Sequence, residues 1–252
     1  MKTANTRNHV YIGMVSRSIL DILCPNMLYT CQDGGTIDIE ELRRSIPGEE
    51  FDYQALLGAL RGYERPRDKI TTLLRRGLIT RAKKGIYVFG QRYARRPFSR
   101  EILANMIYGP SYVSLDYALH YHGLIPERVE AVTSVSTGRN RRFNTPVGLF
   151  IYRMVPLKAY QIGIDQAEIE GRTFLIAIPE KALCDKIYDD RGTGIRSQAE
   201  MKEYLSTSLR IDPESLERLD ADIVDAVGER YRSRKIRLLG GLIRHSRKVN
   251  HE

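Results

Sequence analysis

In the stretch RRGLITRAKKGIYVFG, residues 75–90, Arg75, Arg76, Arg81, Lys83 and Lys84 surround two short apolar runs, and no acidic residue interrupts them. Cations gathered without counter-charge suit a polyanion, because each phosphate they neutralise releases condensed counterions. The preceding residues strengthen this reading. In PRDKITTLLRR, residues 66–76, an inward stripe of Ile70, Leu73 and Leu74 places Asp68, Lys69, Thr72, Arg75 and Arg76 on the outer side of a helix. Arg and Lys reach guanine edges and phosphates, and Thr bonds a phosphate or touches a thymine methyl. Lys69, Thr72, Arg75 and Arg76 are therefore the expected DNA-reading set, with Arg81, Lys83 and Lys84 gripping the flanking backbone.

A second basic cluster lies in GRNRRFNTP, where Arg139, Arg141 and Arg142 stand beside Phe143. It fits a phosphate or single-strand contact, and equally a polar hairpin loop. In PEKALCDK, Lys181 and Asp185 have the spacing of an ordinary i, i+4 helix pair rather than of an acid/base set. Metal chemistry is not expected. Cys24, Cys31 and Cys184 fit neither a zinc site nor a disulfide framework, and His120 and His122 are two apart, on diverging sides of a helix. No Walker loop, nucleophile elbow or Cys–His pairing is present, so neither a cofactor nor a catalytic residue is expected.

These clusters need elements to hold them. Helices are expected in SRSILDILC, in TIDIEELRRSIPG opening on Thr36 or Asp38, in FDYQALLGALRGY capped by Asp52, and from Pro66 to a stop at Gly77. A hairpin follows, LITRA and GIYVFG about a Lys-Lys-Gly turn. Short helices followed by a basic hairpin are the order of a winged helix-turn-helix, assigned to residues 1–92. Polar residues 90–100, with Pro97, read as an exposed linker. Residues 99–252 read as a larger mixed α+β domain: a helix after Ser114 ending at Gly123, strands in VEAVTSVST and VGLFIYRMVP, and turn signals in GRNRRFNTP between them. A hairpin about Glu170 and Gly171, a helix from Pro179 and a charged helical tail complete it. The fold class expected for the whole chain is α+β.

The charge distribution agrees with that division. The net charge is +9 over 252 residues. Residues 1–100 hold 18 Lys/Arg against 10 Asp/Glu, residues 101–227 hold 14 against 19, and residues 228–252 hold 8 against 2. Two basic ends thus flank an acidic middle. No apolar run has the length of a membrane span, and the N-terminal residues lack the hydrophobic block of a signal peptide, so a cytoplasmic location is expected.

The motifs PRDKITTLLRRGLITRAKKGIYVFG, YGPSYVSLDYALHYHGLIPE, TSVSTGRNRRFNTPVGLFIYRMVP and IAIPEKALCDKIYDD occur in this order between about residues 70 and 190. In that combination the chain resembles the AbiEi-like antitoxins of type IV toxin-antitoxin, or abortive-infection, systems. The resemblance implies a bacterial, non-enzymatic protein whose winged helix represses its own operon at the promoter DNA. It further implies that the second domain opposes a nucleotidyltransferase toxin without forming a stable complex with it. Arg139, Arg141 and Arg142 are the expected antitoxin surface. The tail from Ser197 matches none of these motifs, and FDYQALLGALRGY makes the N-terminal helices longer than a minimal winged helix needs. Two other readings remain: a nucleic-acid-processing enzyme delivered by the winged helix, and a protein-docking adaptor using the acidic middle.

Overall fold

The computed structural model of the protein describes residues 38–249, so the expected helix in SRSILDILC and the thiols Cys24 and Cys31 lie outside the described residues. The described chain is mixed α+β, with an entirely helical C-terminal part.

The first unit follows from local signals. Helix α1 (Ile39–Ser45) starts where the Asp38 carboxylate accepts from the Glu40 N–H at 2.8 Å. Strand β1 (Glu50–Asp52) leads into α2 (Tyr53–Ala59), whose Asp52 cap accepts from the Ala55 N–H at 2.8 Å. Helix α3 (Pro66–Arg75) opens on proline, which has no N–H to orphan, and Gly77 ends that segment at φ +67°. Strands β2 (Ile79–Lys83) and β3 (Ile86–Phe89) complete an antiparallel sheet of order β1-β3-β2. Its core is Leu42, Phe51, Leu56, Leu60, Ile70, Leu73, Ile79, Tyr87 and Phe89. Beside it Arg43 is buried, paired with Glu49 at 2.7 Å and lying 4.0 Å over the Phe89 ring.

The second unit is built on a six-stranded mixed sheet of order β6 (Arg141–Thr145), β7 (Gly148–Met154), β5 (Val132–Ser136), β4 (Ser111–Val113), β9 (Arg172–Ala177), β8 (Ile164–Ile169). Helix α4 (Arg100–Ile107) precedes β4 (Ser111–Val113) and α5 (Leu115–Tyr121). Then come β5 (Val132–Ser136), β6 (Arg141–Thr145), β7 (Gly148–Met154), the short α6 (Leu157–Tyr160), β8 (Ile164–Ile169) and β9 (Arg172–Ala177). The β8–β9 turn has φ +51° at Glu170 and +74° at Gly171, the two positive values that let a two-residue turn follow the strand twist. Helices α7 (Pro179–Asp189), α8 (Gln198–Glu203), α9 (Pro213–Glu217), α10 (Ala221–Tyr231) and α11 (Arg234–Val249) finish the chain. A one-turn π-helical segment, Tyr204–Ser208, extends α8.

The turn signals in GRNRRFNTP hide a strand: Arg141–Thr145 is β6, paired along its length with β7 at the sheet edge. Residues 90–100 are also not a free linker. Glu49 accepts from the Arg95 N–H at 3.2 Å, and Glu50 accepts from the Ser99 N–H while pairing with Arg172 of β9. Ala82 and Val88, on the hairpin, belong to the larger core that runs through the second unit. The two units are packed against each other, with the connection strapped across their junction.

Candidate nucleic-acid interface

Helix α3 is amphipathic, but its buried stripe is centred on Lys69, Ile70, Thr72 and Leu73 rather than on Ile70, Leu73 and Leu74. The outward face is therefore turned about a quarter of the helix circumference from the one expected, and consists of Arg67, Asp68, Thr71 and Arg75. Lys69 and Thr72 are thus misplaced in the expected reading set. The Lys69 side chain is 8% exposed and its Nζ sits 5.3 Å from the Tyr63 ring centre, a long apolar stem used as packing. Thr72 turns inward because its hydroxyl donates to the Asp68 carbonyl at 3.1 Å, which satisfies it within the helix. Arg75 and Arg76 are exposed as expected. Arg67 and Thr71, absent from the expectation, stand at i−8 and i−4 from Arg75. Their spacing was readable, but only with the stripe correctly centred.

The hairpin divides its cations. Arg81 and Lys84 are exposed, and the Arg81 guanidinium lies 5.9 Å from the Tyr87 ring centre. Lys83 does not face solvent with them. Its Nζ donates to the Ile107 carbonyl at 2.6 Å and sits 4.4 Å over the Phe143 ring. Burial, with the neighbouring charge of Arg141, pushes its pKa below the ordinary lysine value. The physical reason is a register shift between Arg81 and Lys83, which breaks the alternation and turns Lys83 toward the second unit. Lys83 thus ties the hairpin to the second unit. Across residues 61–84, Arg61, Arg65, Arg67, Arg75, Arg76, Arg81 and Lys84 are exposed, against Glu64 and Asp68 alone.

Arg139, Arg141 and Arg142 are all exposed, Arg139 before β6 and the other two opening it. Phe143 anchors the strand, half-buried against Tyr108 and Tyr152 at centroid distances of 6.1 and 5.7 Å. Because Lys83, the last residue of β2, touches Phe143 and feels Arg141, the tip of the hairpin and the arginine strand are neighbours. The structure therefore brings the second basic cluster beside the first, across the junction of the units.

The Lys181–Asp185 pair is more than a surface i, i+4 contact. Both side chains are wholly buried. Asp185 accepts from Lys181 and Tyr231 on one oxygen, and on the other from Tyr112 at 3.0 Å and Ser114 at 2.7 Å. Lys181 also contacts the Tyr231 hydroxyl at 3.0 Å. Tyr112 and Tyr231 are held far above the ordinary tyrosine pKa by burial and by the Asp185 charge. Gly163, at φ +73°, makes room for this lysine, since a Cβ there would stand 2.7 Å from the Lys181 Cβ. With its donors supplied internally and no exposed edge, the cluster holds α7 and α10 to β4. Cys184 beside it is buried, and burial raises its thiol pKa.

Among the described residues, no group of three or more His, Cys, Asp or Glu side chains converges as metal ligands, and no helix is long and apolar enough to cross a membrane. The chain matches no known family model and no curated protein.

Proposed function

We propose that the first unit is a winged helix that binds duplex DNA, with α3 in the major groove and the β2–β3 hairpin on the adjacent backbone. One observation carries this reading: the exposed face of α3 presents Arg67, Thr71 and Arg75 in line, beside Arg76, Arg81 and Lys84, with little opposing acid. The order α1, β1, α2, α3, β2, β3 with a three-stranded antiparallel sheet supports it. On this reading the protein is a cytoplasmic repressor of its own operon. The antitoxin role, opposing a nucleotidyltransferase toxin without a stable complex, rests on the resemblance of the sequence motifs to those of AbiEi-like antitoxins, and the exposed Arg139, Arg141 and Arg142 are its proposed surface.

The experiment is a mobility-shift titration of the upstream DNA of the gene at several salt concentrations. The expected result is binding whose log–log salt slope is about −0.9 per phosphate neutralised. A flat salt response or no shift at low salt overturns the DNA reading. Co-expression with the neighbouring toxin, comparing the parent with an Arg139, Arg141, Arg142 triple alanine variant, tests the antitoxin role separately.

A further inference from the structure

At the end of the β6–β7 pair, where α7 gives way to the 3-10 turn Arg191–Thr193, a recess of about 390 Å³ is bounded by Asn140, Arg153, Met154, Asp189 and Arg191. Its size falls within the range of small-molecule sites. Its polar groups are arranged so that donors remain. Arg153 spends its Nε on Asp189 at 3.1 Å, which leaves the two terminal nitrogens of the guanidinium. The Asn140 carbonyl oxygen accepts from the Met154 N–H at 2.7 Å, so the loop is fixed and the amide NH2 is left over. Arg191 is exposed and forms no ion pair among the described residues; its guanidinium lies 6.0 Å from the Tyr188 ring centre. Met154, half exposed, adds an apolar wall.

We infer that this recess binds a nucleoside triphosphate. Two guanidiniums and an amide converge on one concavity with a single carboxylate, which Arg153 already neutralises. That donor set fits several phosphate oxygens, because guanidinium forks bond them in pairs. The half-exposed thioether of Met154 supplies a polarizable, apolar surface for a base. The inference does not rest on promoter binding by α3: the recess uses no residue of the first unit.

Isothermal titration of the full chain at low salt tests it, with ATP, inorganic triphosphate, adenosine and a 5′-phosphorylated oligonucleotide as separate probes. Saturable binding of ATP is expected, weaker binding of triphosphate, and none of adenosine. Arg191→Ala and Arg153→Gln should each weaken ATP binding by about tenfold, as removal of a charge-assisted phosphate contact does. Met154→Ser should weaken ATP while leaving triphosphate unchanged, and Arg230→Ala, exposed on α10, should change neither. Circular dichroism and thermal melting keep the Arg153 variant interpretable, and Arg191, without an ion pair, can be replaced without breaking one. Absence of saturation with ATP, or full affinity in both arginine variants, overturns the site. Binding of the oligonucleotide alone, lost in Arg191→Ala, overturns it in favour of a nucleic-acid contact.

Discussion

Asp185 shows how much one side chain can hold. Four donors converge on a fully buried carboxylate, and removing the charge strands Lys181 in the core. Asp185→Ala should cost about 3 to 5 kcal/mol, as breaking a buried pair does, read as a drop in urea midpoint with unchanged slope. Lys83 is the other residue whose role the fold redefines. Lys83→Ala should lower the melting temperature by freeing the Ile107 carbonyl and Phe143, while DNA affinity changes little; a uniform loss of affinity with full stability would restore it as a phosphate contact. Its titration has a definite sign. The folded pKa is depressed below 10.5, so between the folded value and 10.5 the unfolded chain holds more protons. The cost of burying this charge is full below the folded value and vanishes as the pH rises through that window. Relative to Lys83→Met, the parent should gain stability there, measured by denaturant unfolding across the alkaline range.

At the scale of the element, on the proposed DNA reading, the exposed face of α3 decides which side chains meet a groove. Arg75→Ala and Arg67→Ala, on its exposed face, should each erode the preference for operator over random DNA by about 1 to 3 kcal/mol. Lys84→Ala should weaken both alike. Lys69→Ala should act mainly on stability, because its stem is packed. Competition gel shifts with the operator and random duplexes measure all four ratios. If Lys69→Ala alters specificity while Arg67→Ala leaves it whole, the groove-facing side of α3 is the other one.

Across the whole molecule, the contact between units changes what a truncation should do. A fragment starting near Ser99 loses Ala82 and Val88 from the shared core, the Glu50 partner of Arg172 and the Lys83 cover over Phe143. It is expected to melt well below the parent and to expose apolar surface, read as a thermal shift and dye binding, rather than to behave as a free-standing domain. Glu50→Gln in the full chain should reproduce part of that loss, because it removes the more buried of the two carboxylates paired with the Arg172 guanidinium, 14% exposed, and leaves only Glu170 at 3.5 Å.

Local chemistry was enough for the elements whose ends are set by neighbouring residues. Asp52 as a cap, Asp38 as one of two candidate caps with Thr36, Pro66 as a helix start, Gly77 as its stop and the Glu170–Gly171 turn all act within a few residues, and all were legible. So were the exposed charges of Arg75, Arg76, Arg81, Lys84, Arg139, Arg141 and Arg142, because no core accommodates a bare guanidinium or ammonium without a partner. What the sequence left open depended on contacts distant along the chain. The rotation of α3 follows the packing of the Lys69 stem, whose ammonium lies near Tyr63 six residues back, while the direction of Lys83 was set by a register shift and by the Phe143 ring sixty residues away. The pairing of β6 waited on β7, and the fourfold bonding of Asp185 on residues of β4 and α10. Caps and turns are local free-energy minima, whereas burying a long cation or closing a polar network becomes favourable only when the tertiary partners are in place.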